Sequence, residues 1–159
     1  MKASLFPLIA LVLVVFGCKD VEEPSPNNQI EGKYQSKSEG NMGWSSGEFN
    51  FVSDLYFKSD GTVNGEDFTT EIGSDEILGY RGYFSGTYTI IDGKVTISYQ
   101  ESHHLGIADI NYLPKEALTL YEGENYSVEY GVKEDYSELS YICPPNAFCT
   151  YMPVYVKVD

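Results

Sequence analysis

The chain predicts an all-β protein, an antiparallel barrel or sandwich, and three observations carry that prediction. Fourteen tyrosines and eight phenylalanines stand in 159 residues. Helix-length amphipathic stretches are few, and aromatic residues suit a pleated, half-buried surface. Asp92-Gly93 separates two alternating runs in YRGYFSGTYTIIDGKVTISYQE, residues 80–101, a strong short-range hairpin signal. Similar alternating runs recur along the chain with mostly turn-like connections, about nine in all, as in antiparallel barrels and sandwiches.

Residues 1–17 read as an export signal and are set aside before the fold is considered. Lys2 supplies the positive start, and the apolar run 5–16 is too short for a comfortable membrane span. It ends in Val15-Phe16-Gly17-Cys18, which resembles a bacterial lipobox, a small residue directly before a cysteine. The resemblance implies cleavage before Cys18 and lipid on its sulfur and new amino group. Several acyl chains anchor stably, because each buried CH₂ contributes about 0.8 kcal/mol. An ordinary signal peptide with a chance cysteine is the alternative.

Lys19-Asp20-Val21-Glu22-Glu23 resembles the export tag of Bacteroidetes-type lipoproteins. That implies the outer face of the outer membrane, the periplasmic leaflet being the alternative. Residues 24–29, PSPNNQ, read as solvated chain and complete a tether over 18–29. Residues 30–159 are the size of one domain with a single core.

The strands follow in order. The first is expected over 32–37, followed by a Gly- and Ser-rich loop over 39–47. The second is expected over 48–58, with Phe49, Phe51, Leu55 and Phe57 on one face and Asn50, Asp54 and Lys58 on the other. Ser59-Asp60-Gly61 reads as a three-residue turn with Gly61 left-handed, which puts Phe57 opposite Val63. Residues 69–79 read as a long connection with a short helix near 75–78.

In the central hairpin Asp92 and Gly93 both tolerate the positive φ of a type I′ turn. The register then pairs Ile90 with Val95, Tyr88 with Ile97 and Gly86 with Tyr99 on an apolar face. Thr89–Thr96, Thr87–Ser98 and Ser85–Gln100 fall on a hydroxyl-rich face, and a one-residue slip would exchange the two. Gly82 and Gly86 leave room on the apolar face for rings such as Tyr99, as in a curved sheet. Residues 102–115 read as a second long connection. Strands over 117–121, 126–133, 137–143 and 150–158 complete the set. In the last, Val154, Val156 and Val158 share a face and Pro153 stands at its start, where a missing N–H is tolerated.

Acids outnumber bases by 24 to 10, which argues against nucleic acid and against anionic membrane surfaces as partners. Cys143 and Cys149 bracket Pro144-Pro145-Asn146-Ala147-Phe148. An exported setting permits a disulfide between them, worth about 2–2.5 kcal/mol in the chain-entropy model. A metal pair is the competing reading, but two cysteines without a nearby histidine supply too few ligands.

Larger patterns carry a family likeness. Gly32-Lys33-Tyr34 resembles the Gly-x-Trp opening of lipocalin-like domains, with Tyr in place of Trp. LYFKSDGTV (55–63) and FSGTYTIIDGKVTI (84–97) resemble the turn-and-core pattern of lipocalin-like lipoproteins, and CTYMPVYVKV (149–158) resembles their last strand. The resemblance implies an up-and-down barrel of about 8–9 strands, open at one end. It also implies a small apolar molecule held inside. Expected inward-facing aromatics, the candidate ligand contacts, are Tyr34, Phe49, Phe51, Phe57, Phe84, Tyr88 and Tyr99, since rings with a polar tip can line a pocket and hydrogen-bond a guest. The alternative is that they simply fill the barrel.

Three motifs point towards other chemistry. Gly43-Trp44-Ser45-Ser46-Gly47 matches a nucleophile elbow, but a strand pattern follows it where that elbow needs a helix and a parallel sheet. Residues 60–71, DGTVNGEDFTTE, nearly match a calcium loop through Asp60, Asn64, Gly65 and Glu71, yet the flanks read as strands. His103 and His104 are adjacent, so in an extended chain they point to opposite sides and do not share a metal. No catalytic residues, metal or cofactor are expected. The expected function is a lipid-anchored binding module of the cell envelope. The alternative is a surface scaffold with a filled barrel that contacts a protein partner through loops 39–47 and 102–115.

Overall fold

Alternation closes the chain on itself. The computed structural model describes residues 24–40, 48–106, 110–124 and 126–158. Among them stand a short helix α1 (Pro26–Ile30) and nine strands. These are β1 (Gly32–Gly40), β2 (Phe49–Phe57), β3 (Thr62–Glu71), β4 (Ile77–Ile91), β5 (Lys94–His104), β6 (Thr119–Leu120), β7 (Ser127–Val132), β8 (Glu138–Ile142) and β9 (Val154–Lys157). Neighbours run antiparallel in the order β1-β2-β3-β4-β5-β7-β8-β9, and β9 returns to β1 through Tyr34–Lys157 and Gln35–Val156. The result is a closed eight-stranded barrel. The ninth strand, β6, only extends the end of β5 through His103–Leu120 and His104–Thr119. Closure removes the exposed sheet edges that invite aggregation.

The turns set the registers as expected. Gly61 has φ +87° in the three-residue turn, and Phe57 pairs with Val63. Asp92 and Gly93 have φ of 50° and 72°, and Ile90–Val95 and Tyr88–Ile97 pair across the hairpin. Tyr88, Val95 and Ile97 are buried, and Ile90 packs against the same core.

Several expectations need correction. The Ser85–Gln100 pair does not form: a bulge after Tyr99 moves Ser85 opposite Glu101. Gly86 accommodates backbone, not a ring, since a Cβ there would stand 2.4 Å from the Ser98 carbonyl oxygen. The ring-accepting glycine is Gly65, beneath Phe84. The expected connection over 69–79 is mostly strand, with β3 reaching Glu71 and β4 starting at Ile77. The helix expected near 75–78 is absent, because Ile77-Leu78-Gly79 pairs with Thr69 and Thr70 instead. Likewise β5 runs on to His104, shortening the connection expected from 102. The end of the tether is helical: Ser25 caps α1, whose Pro26 and Asn28 are exposed and whose last residue, Ile30, is the fully buried start of the domain.

Val154, Val156 and Val158 do share a face, and it is the outer one, each about half exposed. Tyr155 turns inward opposite Leu139 and packs edge-on against Tyr130, 5.6 Å between ring centres. A tyrosine ring fills the interior better than valine, so it decides the phase of β9. The outer face of β2 is also more buried than its polar letters suggest. Asp54 there is 2% exposed, held by Lys33 (2.8 Å), the Gln35 amide (2.9 Å) and the Tyr56 hydroxyl (3.1 Å). Cys143 and Cys149 form a disulfide that closes the loop between β8 and β9.

The barrel has two unlike ends. At one, the connections are tight turns over 58–61, 92–93 and 133–137, and α1 lies across the opening. Asn27 donates to the Ser59 carbonyl, Lys157 donates to the Gln29 carbonyl, and Tyr88 donates to the Lys58 carbonyl at 2.7 Å. Apolar side chains fill this half: Ile30, Tyr34, Leu55, Phe57, Val63, Val95, Ile97 and Leu139. Tyr34 also donates to the Tyr136 carbonyl at 2.7 Å. The described connections over 72–76 and 143–153, and the described residues flanking β6, lie at the opposite end.

Candidate functional site

Towards that second end the inward positions change character. On β2 the inward series runs Phe57, Leu55, Ser53; on β3 it runs Val63, Gly65, Asp67. Small and polar residues there leave space, and a cavity of about 600 Å³ opens. That lies within the range typical of small-molecule sites, about 300–1,000 Å³. Asp67 and Arg81, with Phe84, Tyr99, Tyr126 and Tyr155, are among the residues that line it.

Aromatic contacts make the wall rigid. Tyr99 stacks on Tyr126 at 4.3 Å and leans on Phe84 at 4.2 Å. Tyr121 meets Tyr126 edge-on at 5.9 Å. Burial pushes the Tyr99, Tyr130 and Tyr155 phenols far above their ordinary range, so they stay protonated and can donate hydrogen bonds.

Asp67 and Arg81 bring charge to this space, and Asp54 borders it too. Asp67 lies deep in the barrel, yet its side chain still touches the cavity. Ser53 donates a hydrogen bond to its Oδ1. Arg81 reaches the cavity because the β3–β4 register shifts between Asp67 and Phe68, making Arg81 the extra residue of a bulge. Its guanidinium carbon sits 4.5 Å from the centre of the Phe51 ring.

Burial raises the Asp67 carboxyl above the ordinary aspartate range; the Ser53 hydrogen bond and the Arg81 charge pull the other way, and Asp54 adds to the rise. Burial lowers Arg81, and Asp67 counters that. For Asp67 the folded pKa therefore exceeds the unfolded one. Its contribution to stability is greatest below the unfolded value, about 3.9, and is lost as pH rises through the folded value. Asp67→Asn removes that loss. In calorimetric melts of the empty protein, the variant is expected to melt above wild type at pH 7 and level with it near pH 3. A lower melting point at pH 7, with the two level near pH 3, would mean that attraction to Arg81 outweighs burial.

The sequence-expected ligand contacts divide into groups. Phe84 and Tyr99 line the cavity. Tyr34, Phe57 and Tyr88 are packed into the filled half, where Phe57 meets Tyr34 and Tyr88 edge-on. Phe51 lies under Arg81, and Phe49 packs on Tyr112. Sequence reasoning missed Asp67, although the Phe57–Val63 register places every second residue of β3, Asp67 included, on the inner face. Arg81 depends on a bulge, and Tyr121 and Tyr126 sit in the connections flanking β6, so no periodicity marked them.

The other motifs have plain placements. Asp60 accepts from the Thr62 amide and hydroxyl within its turn, while Glu71 stands at the far end of β3, so the calcium-like series is laid out along a strand. His103 stacks on Tyr83 at 4.4 Å, and its neighbour His104 turns towards Tyr121; all three of His103, His104 and Tyr83 border the cavity. The 43–47 motif and Cys18 lie outside the described residues. Among the described residues no helix is long and apolar enough to cross a membrane. Comparison with family models, with curated proteins and with solved structures gives no match.

Proposed function

We propose that this chain is a lipid-anchored binding module of the cell envelope that holds a small ring-bearing molecule in the hollow half of its barrel. The observation that carries this reading is the cavity itself. One half of the interior is solidly packed, while the other is a cavity walled by tyrosines, with Gly82 in its lining. A protein needing only a scaffold gains nothing from leaving apolar packing unmade. Because Asp67 and Arg81 share the wall, the guest is amphipathic rather than purely apolar. No reaction chemistry is assigned to the site.

The lipobox-like ending at Cys18 supports the anchor and an outer-membrane address. The tether reaches the barrel at the end that α1 covers, so the cavity end faces away from the anchored end. A second reading, a protein-contact scaffold, is favoured by one observation. Phe148 is 93% exposed in the disulfide loop, with Tyr151, Met152 and Val154 exposed beside it in sequence.

Denaturing protein purified from its native membrane and analysing the released small molecules by mass spectrometry tests the first reading. A ring-bearing compound in near-stoichiometric amount is expected. Release of none, from protein that also excludes small aromatic probes, would favour the scaffold.

A further inference from the structure

We propose that the cavity selects an uncharged guest, a flat fused-ring molecule bearing a carbonyl, and that the Tyr99 hydroxyl donates to that carbonyl. This rests on the binding reading above and names the class of its guest.

The charges at the wall are already matched within the protein. Among the described residues Asp54, Asp67 and Arg81 bring them. Asp54 is held by Lys33 at 2.8 Å, by the Gln35 amide at 2.9 Å and by the Tyr56 hydroxyl at 3.1 Å. Asp67 accepts from Ser53 and is drawn to the Arg81 charge. Arg81 is engaged in turn, through that attraction, the Phe51 ring and a further interaction. The two histidines that border the space lean on Tyr83 and Tyr121. A charged guest would lose its water and find its counter-charge taken, and an unmatched buried charge is costly. An uncharged guest meets no such penalty.

Tyr99 offers the polar contact. Its ring stacks on Tyr126 at 4.3 Å and leans on Phe84 at 4.2 Å, which fixes where its hydroxyl stands. Tyr126 is hydrogen-bonded to Ser102, and Tyr130 to Tyr155. The Tyr99 hydroxyl has no hydrogen-bond partner among the described residues, and its side chain borders the cavity. Burial keeps it protonated, so it donates. A guest carbonyl completes that bond without bringing a charge, or a proton in need of its own partner. Phe84 and the tyrosine rings supply flat apolar surface for the rest of the molecule.

The test uses four naphthalenes that share a ring system and differ in one arm: 2-acetylnaphthalene, 2-ethylnaphthalene, 2-naphthoate and 2-naphthylmethylammonium. Each is equilibrated with the lipid-free mature protein by dialysis at pH 7. The ketone is expected to bind about tenfold or more tighter than the anion and the cation, and about fivefold tighter than the hydrocarbon. Tyr99→Phe is expected to bring the ketone down to the level of the hydrocarbon, whose own affinity stays unchanged. Naphthoate or the ammonium binding as tightly as the ketone would overturn the uncharged class. A ketone no tighter than the hydrocarbon, or a Tyr99→Phe protein that weakens both alike, would overturn the Tyr99 contact. Each of these results leaves a binding cavity standing. If none of the four binds, the molecule released from native protein decides: an uncharged ring compound with a carbonyl supports the assignment, and any other compound overturns it. If nothing is released either, the binding reading falls with it. The comparison of the four probes on wild-type protein remains decisive even if the variant fails to fold.

Discussion

Ile97→Ala is expected to lower the unfolding free energy by about 3.5 kcal/mol, measured by urea denaturation of the mature domain. Ile97 is fully buried in the packed half. It pairs with Tyr88 on β4 and Val128 on β7, so its side chain helps join three successive staves of the barrel. Truncation removes the transfer free energy of the lost carbons and leaves a hole. A closed sheet cannot shrink to fill it, because each strand is hydrogen-bonded on both sides. The midpoint is expected to fall with an unchanged slope, the mark of lost stability without a changed unfolded state. Ile91→Ala supplies the contrast. Ile91 lies on the same hairpin but is 68% exposed, so its loss is expected to stay within about 0.5 kcal/mol. Equal effects at the two positions would contradict the assignment of the faces.

Gly86→Ala is expected to cost about 3 kcal/mol, at the upper end for overpacking. A Cβ at position 86 would stand 2.4 Å from the Ser98 carbonyl oxygen and 3.2 Å from its carbon. Those are backbone atoms in the β4–β5 ladder, next to the bulge between Ser85 and Gly86. No rotamer change relieves such a clash, so strands must separate or the register must slip. The control is Gly131→Ala, whose nearest described atom would be the Ser140 oxygen at 3.9 Å, ordinary contact distance. That variant is expected to fall within about 0.5 kcal/mol of wild type. Thermal melts of both decide the matter, and a Gly86→Ala protein as stable as wild type would mean that the two strands are not so closely apposed.

Much of the fold was legible because turns are local. Asp92-Gly93 and Ser59-Asp60-Gly61 carry their backbone preferences in their own residues, and each sets a register that holds for several pairs. Legibility failed where pairing overrides composition. Residues 69–71 and 77–79 look like loop beside Gly73-Ser74-Asp75-Glu76, yet they extend β3 and β4 because each supplies the other's hydrogen bonds. The last residues of the tether join Ile30 in α1, because Ile30, the first residue of the domain, finds an apolar end to cover.

The candidate site was legible only in part. Phe84 and Tyr99 follow from strand alternation, and Asp67 was available from the same rule. Arg81 was not, since a bulge changes the phase of its strand, and neither were Tyr121 and Tyr126 near β6.

The sequence by itself determined most of the strands, the two turns with the registers beside them, and the inward placement of Phe84 and Tyr99, because these depend on residues near one another in the chain. Closure of β9 onto β1, the outward turn of its valines, and the gathering of Asp67, Arg81 and the tyrosines around one hollow were decided only in three dimensions. The physical reason is that backbone preference acts over a few residues, whereas filling or leaving empty an interior depends on side-chain volumes contributed by all the staves together.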